Sequence, residues 1–504
     1  MSEHLRALVV ILLIAGSVMV ITRPILTVWM TLGDFNRRRN AWLGVTLLAF
    51  LSHNFWVFLA GSSLVLWTSY RVERNVPALF WLLLFVVPPV DAPIPGFGLI
   101  NFLFDLSFQR LLALVVLLPA ALQLWRSKES KRLGSTWPDR FLLAYLALSA
   151  VLSLRNASAT QGMREAFYLV LEVLLPYYVF SRGLTQLTRI KEAMSALVWA
   201  TVLLAALGMF EFAKSWLLYT ALPRAWGVDF AAGYLSRDGL LRASATTGQA
   251  IVLGYSVAVG LGCYLALSKE VPSKAMRLAG WATMVGGLLA PLSRGPWVGA
   301  AVMAMGYLFT GPRGVRRVLT LTFAGLAAIP LLSLFPFGKR LVGMLPFLGD
   351  IETENINYRE RLFENALILV DRNFWLGTYD YRERLADMGM VQGQGIVDVV
   401  NTYVRVALEH GVLGLLLFSL FFAAVVLQLH RATKRWNRHT RNAEDDMQRT
   451  GRALLASLVG LLAMIATVSS ISFIPWIYWT VAGAAAAYAD VVNRSLKSEI
   501  SRAR

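Results

Sequence analysis

The sequence predicts an all-α fold, a polytopic transmembrane helical bundle, and three observations carry that prediction. Hydrophobic residues make up 57% of the 504-residue chain and charged residues only 15%, which leaves too little polar surface to cover a water-soluble globule. The mean hydropathy of +0.57 points the same way. Apolar runs near the ~20 residues that cross a bilayer as a helix recur from end to end, and none shows the alternation of a transmembrane barrel. In lipid the backbone must satisfy its own hydrogen bonds, so helices are the remaining solution. By that ~20-residue criterion the chain predicts about fourteen spans with both termini inside.

The elements follow in order. Ala7 to Val20 comes after His4 and Arg6, but the following "ITRP" offers no small-residue cleavage site, so it reads as a retained first span. The span count then places Arg37, Arg38 and Arg39 outside, unless Pro24 to Asp34 forms a re-entrant hairpin. Beyond that point basic residues cluster in alternate loops: Arg126 to Arg140, Arg182 to Lys191, Lys269 to Arg277, Arg313 to Arg317, Arg431 to Arg452 and Arg494 to Arg504. The positive-inside rule makes these the cytoplasmic connections. They account for the net charge of +18 without invoking nucleic acid. The intervening loops are then external: Asp91 to Ser107, Asn156 to Met163, Glu211 to Leu241, the tight turn Ser293 to Trp297, and Phe337 to Asp398. Four segments result: an N-terminal bundle (1–210), core spans with arginine-bearing external loops (211–336), a large external loop (337–398), and C-terminal spans with a cytoplasmic tail (399–504). The sole cysteine, Cys263, excludes an internal disulfide and a cysteine-based metal site.

Loops as long as Phe337 to Asp398 usually have a role. Within this one, "YRERLFENALILV" predicts an amphipathic helix with Leu362, Phe363, Ala366, Leu367 and Val370 on one face and Arg359, Glu360, Arg361 and Glu364 elsewhere. Such a helix lies on the outer membrane surface, where its arginines meet either substrate or lipid phosphate. In the stretch that follows, Asp398, Asn401, Arg405 and Glu409 recur every three or four residues and share one helical face. Ionisable groups are costly in lipid, so this stripe lines either a wet external pocket or a polar seam between helices, with Arg405 and Glu409 neutralising each other. Arg242 and Arg294 stand at external helix ends. Each is a ligand for an anion or a snorkelling anchor, and the short turn at Arg294 restricts its freedom.

The pattern "SRGPWVGA", the later "NTYVRVALEHGVLG" and the long external loop between them resemble the O-antigen ligase and Wzy-type polymerase superfamily. In that family a His-Asn pair precedes Gly-x-x-Gly by nine residues. Asn401, Gly411 and Gly414 match in register, whereas Val400 stands where the histidine would be. The resemblance spans Arg242 to Phe418. It implies glycan transfer at the outer face of the bacterial inner membrane from an undecaprenyl-diphosphate-linked oligosaccharide to an acceptor such as a growing glycan chain, with neither metal nor cofactor. It also implies that external arginines hold the lipid diphosphate, which carries over to Arg242 and Arg294 and more loosely to Arg361.

The chemistry of the residues agrees. Breaking a sugar–diphosphate bond leaves negative charge on the departing oxygen, and an arginine fork grips phosphate oxygens while staying charged at every relevant pH. No external carboxylate cluster is evident for a metal, since Glu444 to Asp446 falls in a basic cytoplasmic loop. Arg242, Arg294 and Asp398 are therefore the expected catalytic residues, with Asp398 as base in place of the missing histidine. His410 lies ten residues, about 15 Å of helix, beyond position 400. Arg359, Arg361, Asn401 and Arg405 are the expected substrate contacts. The function expected is polymerisation of lipid-linked repeat units for exopolysaccharide or O-antigen, with chain-length regulator and export proteins as further partners. A ligase acting on lipid A core or protein is the rival within the class. A lipid-linked glycan transporter, which would show inverted repeats, is the rival outside it.

Overall fold

The computed structural model describes residues 2–503 apart from 97, 99–100, 156–157, 229–233, 238, 344–352, 392–396 and 441–444. Parts of four expected external loops thus lie outside the described residues, as does Glu444. What is described is almost entirely helical, with two antiparallel ribbons: β1 (Asp91–Pro95) paired to β2 (Phe102–Ser107), and Ser236–Arg237 paired to Leu240–Leu241. The membrane-bundle expectation holds.

Among the described residues, six helices are long and apolar enough to cross a bilayer: Glu3–Leu26, Phe108–Arg126, Leu187–Lys214, Ala250–Glu270, Gly314–Ser333 and Thr402–His439. This is fewer than the sequence count because apolar runs do not make equally long helices. Phe55–Arg71, Trp137–Ser153, Lys274–Leu289 and Arg294–Phe309 are helices of 16 or 17 residues. The helix Val76–Leu83 stops within its apolar run, and the chain continues through Val87 in irregular, fully buried backbone. There Gln109 Nε2 donates to Val87 O at 3.0 Å and Thr246 Oγ1 to Phe85 O at 2.7 Å. Irregular backbone survives in an apolar bundle only where protein supplies such partners.

The first hairpin requires a correction. Arg38 is fully buried and paired with Glu73 (2.8 Å) and Glu192 (2.7 Å), and Trp29 Nε1 donates to Glu270 at 2.8 Å. Glu192 and Glu270 adjoin the basic loops, and Lys191 bridges Glu270 and Asp446 at 2.7 Å each. The turn at Thr27–Thr31 and its arginines therefore sit on the basic face, not the opposite one. At the other end of the first helix, Trp216 Nε1 reaches Glu3 Oε1 at 3.4 Å, and Trp216 lies just past Leu187–Lys214, on the far face. The C-terminal helix runs to the basic face, where Asp490 pairs with Lys131. The two termini thus lie on opposite faces. An arginine buried between two carboxylates outweighs the hydropathy count because an unpaired charge at that depth costs several kcal/mol.

Small residues fix the helices beneath the far face. A Cβ on Gly299 would meet Met464 Cγ at 2.0 Å, and one on Gly460 would meet Met303 Cγ at 2.2 Å. Arg294–Phe309 and Asp446–Ile465 approach closely through these two positions. That contact sets the N-terminus of one helix, with Arg294, beside the Ala466–Phe473 connection that follows the other.

Candidate active site

The site forms on the face opposite the basic loops, from four separate connections. Arg242 follows the small ribbon and reaches across to the turn at 290–293, with Nε donating to Pro291 O at 3.2 Å and a terminal nitrogen to Ser293 Oγ at 2.9 Å. Arg237 donates to Leu292 O at 2.8 Å, and the amide of Ala243 to Ala290 O at 3.2 Å. The turn preceding Arg294 is thus held by two arginines. Arg294 is the first residue of Arg294–Phe309 and is half-buried. A helix N-terminus carries partial positive charge and unpaired N–H groups, so Arg242 and Arg294 add full charges where an anion is already favoured.

The long loop contributes the other side. The helix Thr353–Arg372 buries Leu362, Ala366 and Leu369 against Tyr381, Leu385, Met390, Val399 and Leu408, a second apolar core apart from the bundle. The sequence reading put Leu362, Phe363, Ala366, Leu367 and Val370 on one face turned to the membrane surface. In the structure that face divides: Leu362 and Ala366 pack into the loop core with Leu369, while Phe363 and Leu367 stay 49% and 50% exposed. With Ile368, Phe374, Trp375 and Leu376 they form an exposed apolar margin suited to a membrane interface. Arg359 lies within electrostatic reach of both Arg294 and Asp398. Desolvation lowers its pKa below the ordinary arginine value, Arg294 lowers it further, and Asp398 opposes both. Arg361, two residues on, is exposed and also engaged.

Asp398 accepts a hydrogen bond from Ser469 Oγ, which also donates to Val399 O at 2.7 Å. Thr402 Oγ1 donates to Val468 O at 2.8 Å, and an Arg405 terminal nitrogen to Ser470 O at 2.8 Å. The connection between the last two helices therefore pins the polar stripe. Within the stripe, Asn401 caps its helix, its Oδ1 accepting from the amides of Tyr403 (2.9 Å) and Val404 (3.2 Å). Arg405 Nε meets Glu409 Oε1 at 2.8 Å, and Tyr381 Oη donates to the same oxygen at 3.0 Å. The neutralising pair is present, and it ties the loop core to the stripe. Among the described residues, no three His, Cys, Asp or Glu side chains converge in a metal-binding group.

The stripe is not the start of a continuous span. At Gly411 the helix is broken, with φ 67° and ψ −171°. Segment 374–378 docks into the break: Thr378 N donates to Leu408 O (2.7 Å) and Val412 N to Phe374 O (2.8 Å). Arg155 closes it with bonds to the carbonyl oxygens of Gly377 (3.0 Å), Leu376 (3.0 Å) and Glu409 (3.3 Å). Polar residues fill the first three turns because those turns form a separate short helix in the site, while hydrocarbon follows the break.

Of the sequence-selected residues, Arg242, Arg294, Arg359 and Asp398 come together, and Asn401 and Arg405 stand beside them in structural bonds. Sequence reasoning missed Arg155, Ser293, Ser469 and Tyr381. Only Arg155 carried a usable signal, as a cation at the external end of a span. The serines and the tyrosine acquire their roles from partners distant in sequence.

The model of a family described as O-antigen ligase matches residues 279–419. The matched region holds Arg294, Arg359, Asp398, the stripe and the Gly411 break, so the resemblance read from the motifs is borne out there. Arg242 and the N-terminal half lie outside it. No curated protein matches the chain.

Proposed function

With an O-antigen ligase family match to the site-bearing region as premise, we propose that this multi-pass membrane protein is a polysaccharide polymerase. It joins undecaprenyl-diphosphate-linked repeat units on the periplasmic side of the inner membrane. The single observation that carries the reading is the gathering of Arg242, Arg294 and Arg359 near a helix N-terminus, with Asp398 within electrostatic reach of Arg359. Its position opposite the basic loops supports a periplasmic site.

In the reaction the acceptor hydroxyl of the incoming unit attacks the anomeric carbon of the growing chain. The carbon–oxygen bond to the diphosphate breaks, and undecaprenyl diphosphate departs with the bonding electrons. Asp398 takes the hydroxyl proton, and Ser469 orients its carboxylate. The arginines hold the departing oxygens, a placement worth most for charge that develops in the transition state. Holding both lipid-linked sugars in line supplies much of the remaining acceleration, since diphosphate is already a good leaving group. No divalent cation is required in this scheme.

The family includes both ligases and polymerases, and Val400, in place of the family's histidine, favours the polymerase. A transporter has no support from the family match. A glycan gel from a deletion strain tests the reading. Single repeat units on the final acceptor, with long chains missing, are expected. Long chains accumulating on undecaprenyl diphosphate would make the protein a ligase instead.

A further inference from the structure

We infer that Glu211 is a positioning residue for the arginine site, acting through Arg242; this rests on the reading of Arg242 as a diphosphate ligand. Glu211 lies in the last turn of the helix Leu187–Lys214 and is fully buried. A carboxylate at zero exposure calls for partners, and its described partners are backbone amides alone. Oε1 accepts from Leu218 N at 2.9 Å, and Oε2 accepts from Ser244 N at 3.0 Å and Ala245 N at 2.7 Å. Three N–H donors thus satisfy both oxygens of the buried carboxyl group.

The position of these donors gives Glu211 its role. Ser244 and Ala245 come two and three residues after Arg242. Ala245 has a φ of 45°, in the left-handed region that a non-glycine residue adopts only when its surroundings impose it. The two bonds to Oε2 impose it, and they fix where the backbone leaves Arg242. On the other side, Arg242 N donates to Leu235 O at 2.9 Å and its side chain spans to Pro291 and Ser293. The arginine is thus clamped at its backbone by Glu211 and at its tip by the turn before Arg294. Leu218 N on the remaining oxygen ties the preceding connection to the same anchor. Glu211 touches none of the proposed reacting atoms, so its effect must pass through the 242–248 backbone.

A double-mutant cycle on purified full-length protein tests this, with lipid-linked repeat units as substrate. Glu211→Gln keeps the size but loses one acceptor, and Glu211→Asp keeps both oxygens on a shorter stem. The Gln variant should lower the polymerisation rate about 10- to 100-fold, as roughly 1 Å of misplacement does. The Asp variant should fall between it and wild type. In an Arg242→Ala background Glu211→Gln should cost nothing more, and hydrogen exchange over 242–248 should quicken in Glu211→Gln alone. Equal losses in both backgrounds, or unchanged exchange, would overturn the assignment as a general folding effect. Loss in Arg242→Ala with none in Glu211→Gln overturns the Glu211 assignment alone, whereas full activity in Arg242→Ala overturns the arginine-site reading itself.

Discussion

Replacing Gly411 with alanine tests whether the break in the helix, rather than the polar stripe alone, builds the site. A Cβ there would lie 2.3 Å from both the carbonyl carbon and oxygen of Trp375 and 2.4 Å from Leu376 N. These are backbone atoms, which cannot swing aside as the end of a side chain could. The local conformation, φ 67° with ψ −171°, is itself a glycine region, and a non-glycine residue there costs roughly 1–3 kcal/mol. Overpacking adds ~1–3 kcal/mol, so the variant should lose about 2–6 kcal/mol unless segment 374–378 undocks. Undocking would release the bonds from Thr378 N and Val412 N and free the Arg155 fork. Either route moves Glu409 and Arg405 relative to Asp398. Thermal unfolding in detergent should shift down, and polymerisation at matched protein levels should fall at least about tenfold. Gly325→Ala is the control: nothing lies within 4 Å of its Cβ, and in a helix this change is neutral or stabilising by roughly 0.5–1 kcal/mol. A Gly411→Ala protein as stable and active as wild type would refute the break as a built feature.

Three further outcomes are expected. Arg294→Lys should keep normal membrane levels yet lose about thirty- to a thousand-fold in rate, equivalent to roughly 2–4 kcal/mol of transition-state stabilisation. An interfacial anchor would tolerate lysine, so full activity in this variant, with Arg316→Ala as control, would return Arg294 to that role. Cysteine at Ser2 should react with an impermeant thiol reagent from outside and cysteine at Asn437 should not, Cys263 being buried; labelling at Asn437 alone would invert the topology and remove the site. Elongation by purified protein should persist in chelator, and activity restored only by a divalent cation would replace the arginine scheme.

Arg242 and Arg294 are legible for a physical reason: a cation at the end of an apolar run stands out against hydrocarbon. Asp398 stands out by its spacing on the stripe, and in the fold it lies within electrostatic reach of Arg359. Arg405, expected at the substrate or as the neutralising partner of Glu409, bonds Glu409 and the Ser470 carbonyl in the fold. Periodicity assigns a face but not the partner that meets it, as Leu362 and Ala366 show by packing into the loop core.

The sequence by itself determined the solvent, the helical class and the alternation of basic loops, because each depends on composition or short-range spacing that lipid enforces locally. Only the tertiary structure decided which face holds the first hairpin, since that rests on Arg38 meeting Glu73 and Glu192 from elsewhere in the chain. It likewise decided that the polar stripe belongs to a separate short helix. Gly411 permits a break, but a glycine in a helix need not make one. The break exists because residues 374–378 and Arg155 supply hydrogen-bond partners around it, and contacts between such distant residues leave no local trace in the sequence.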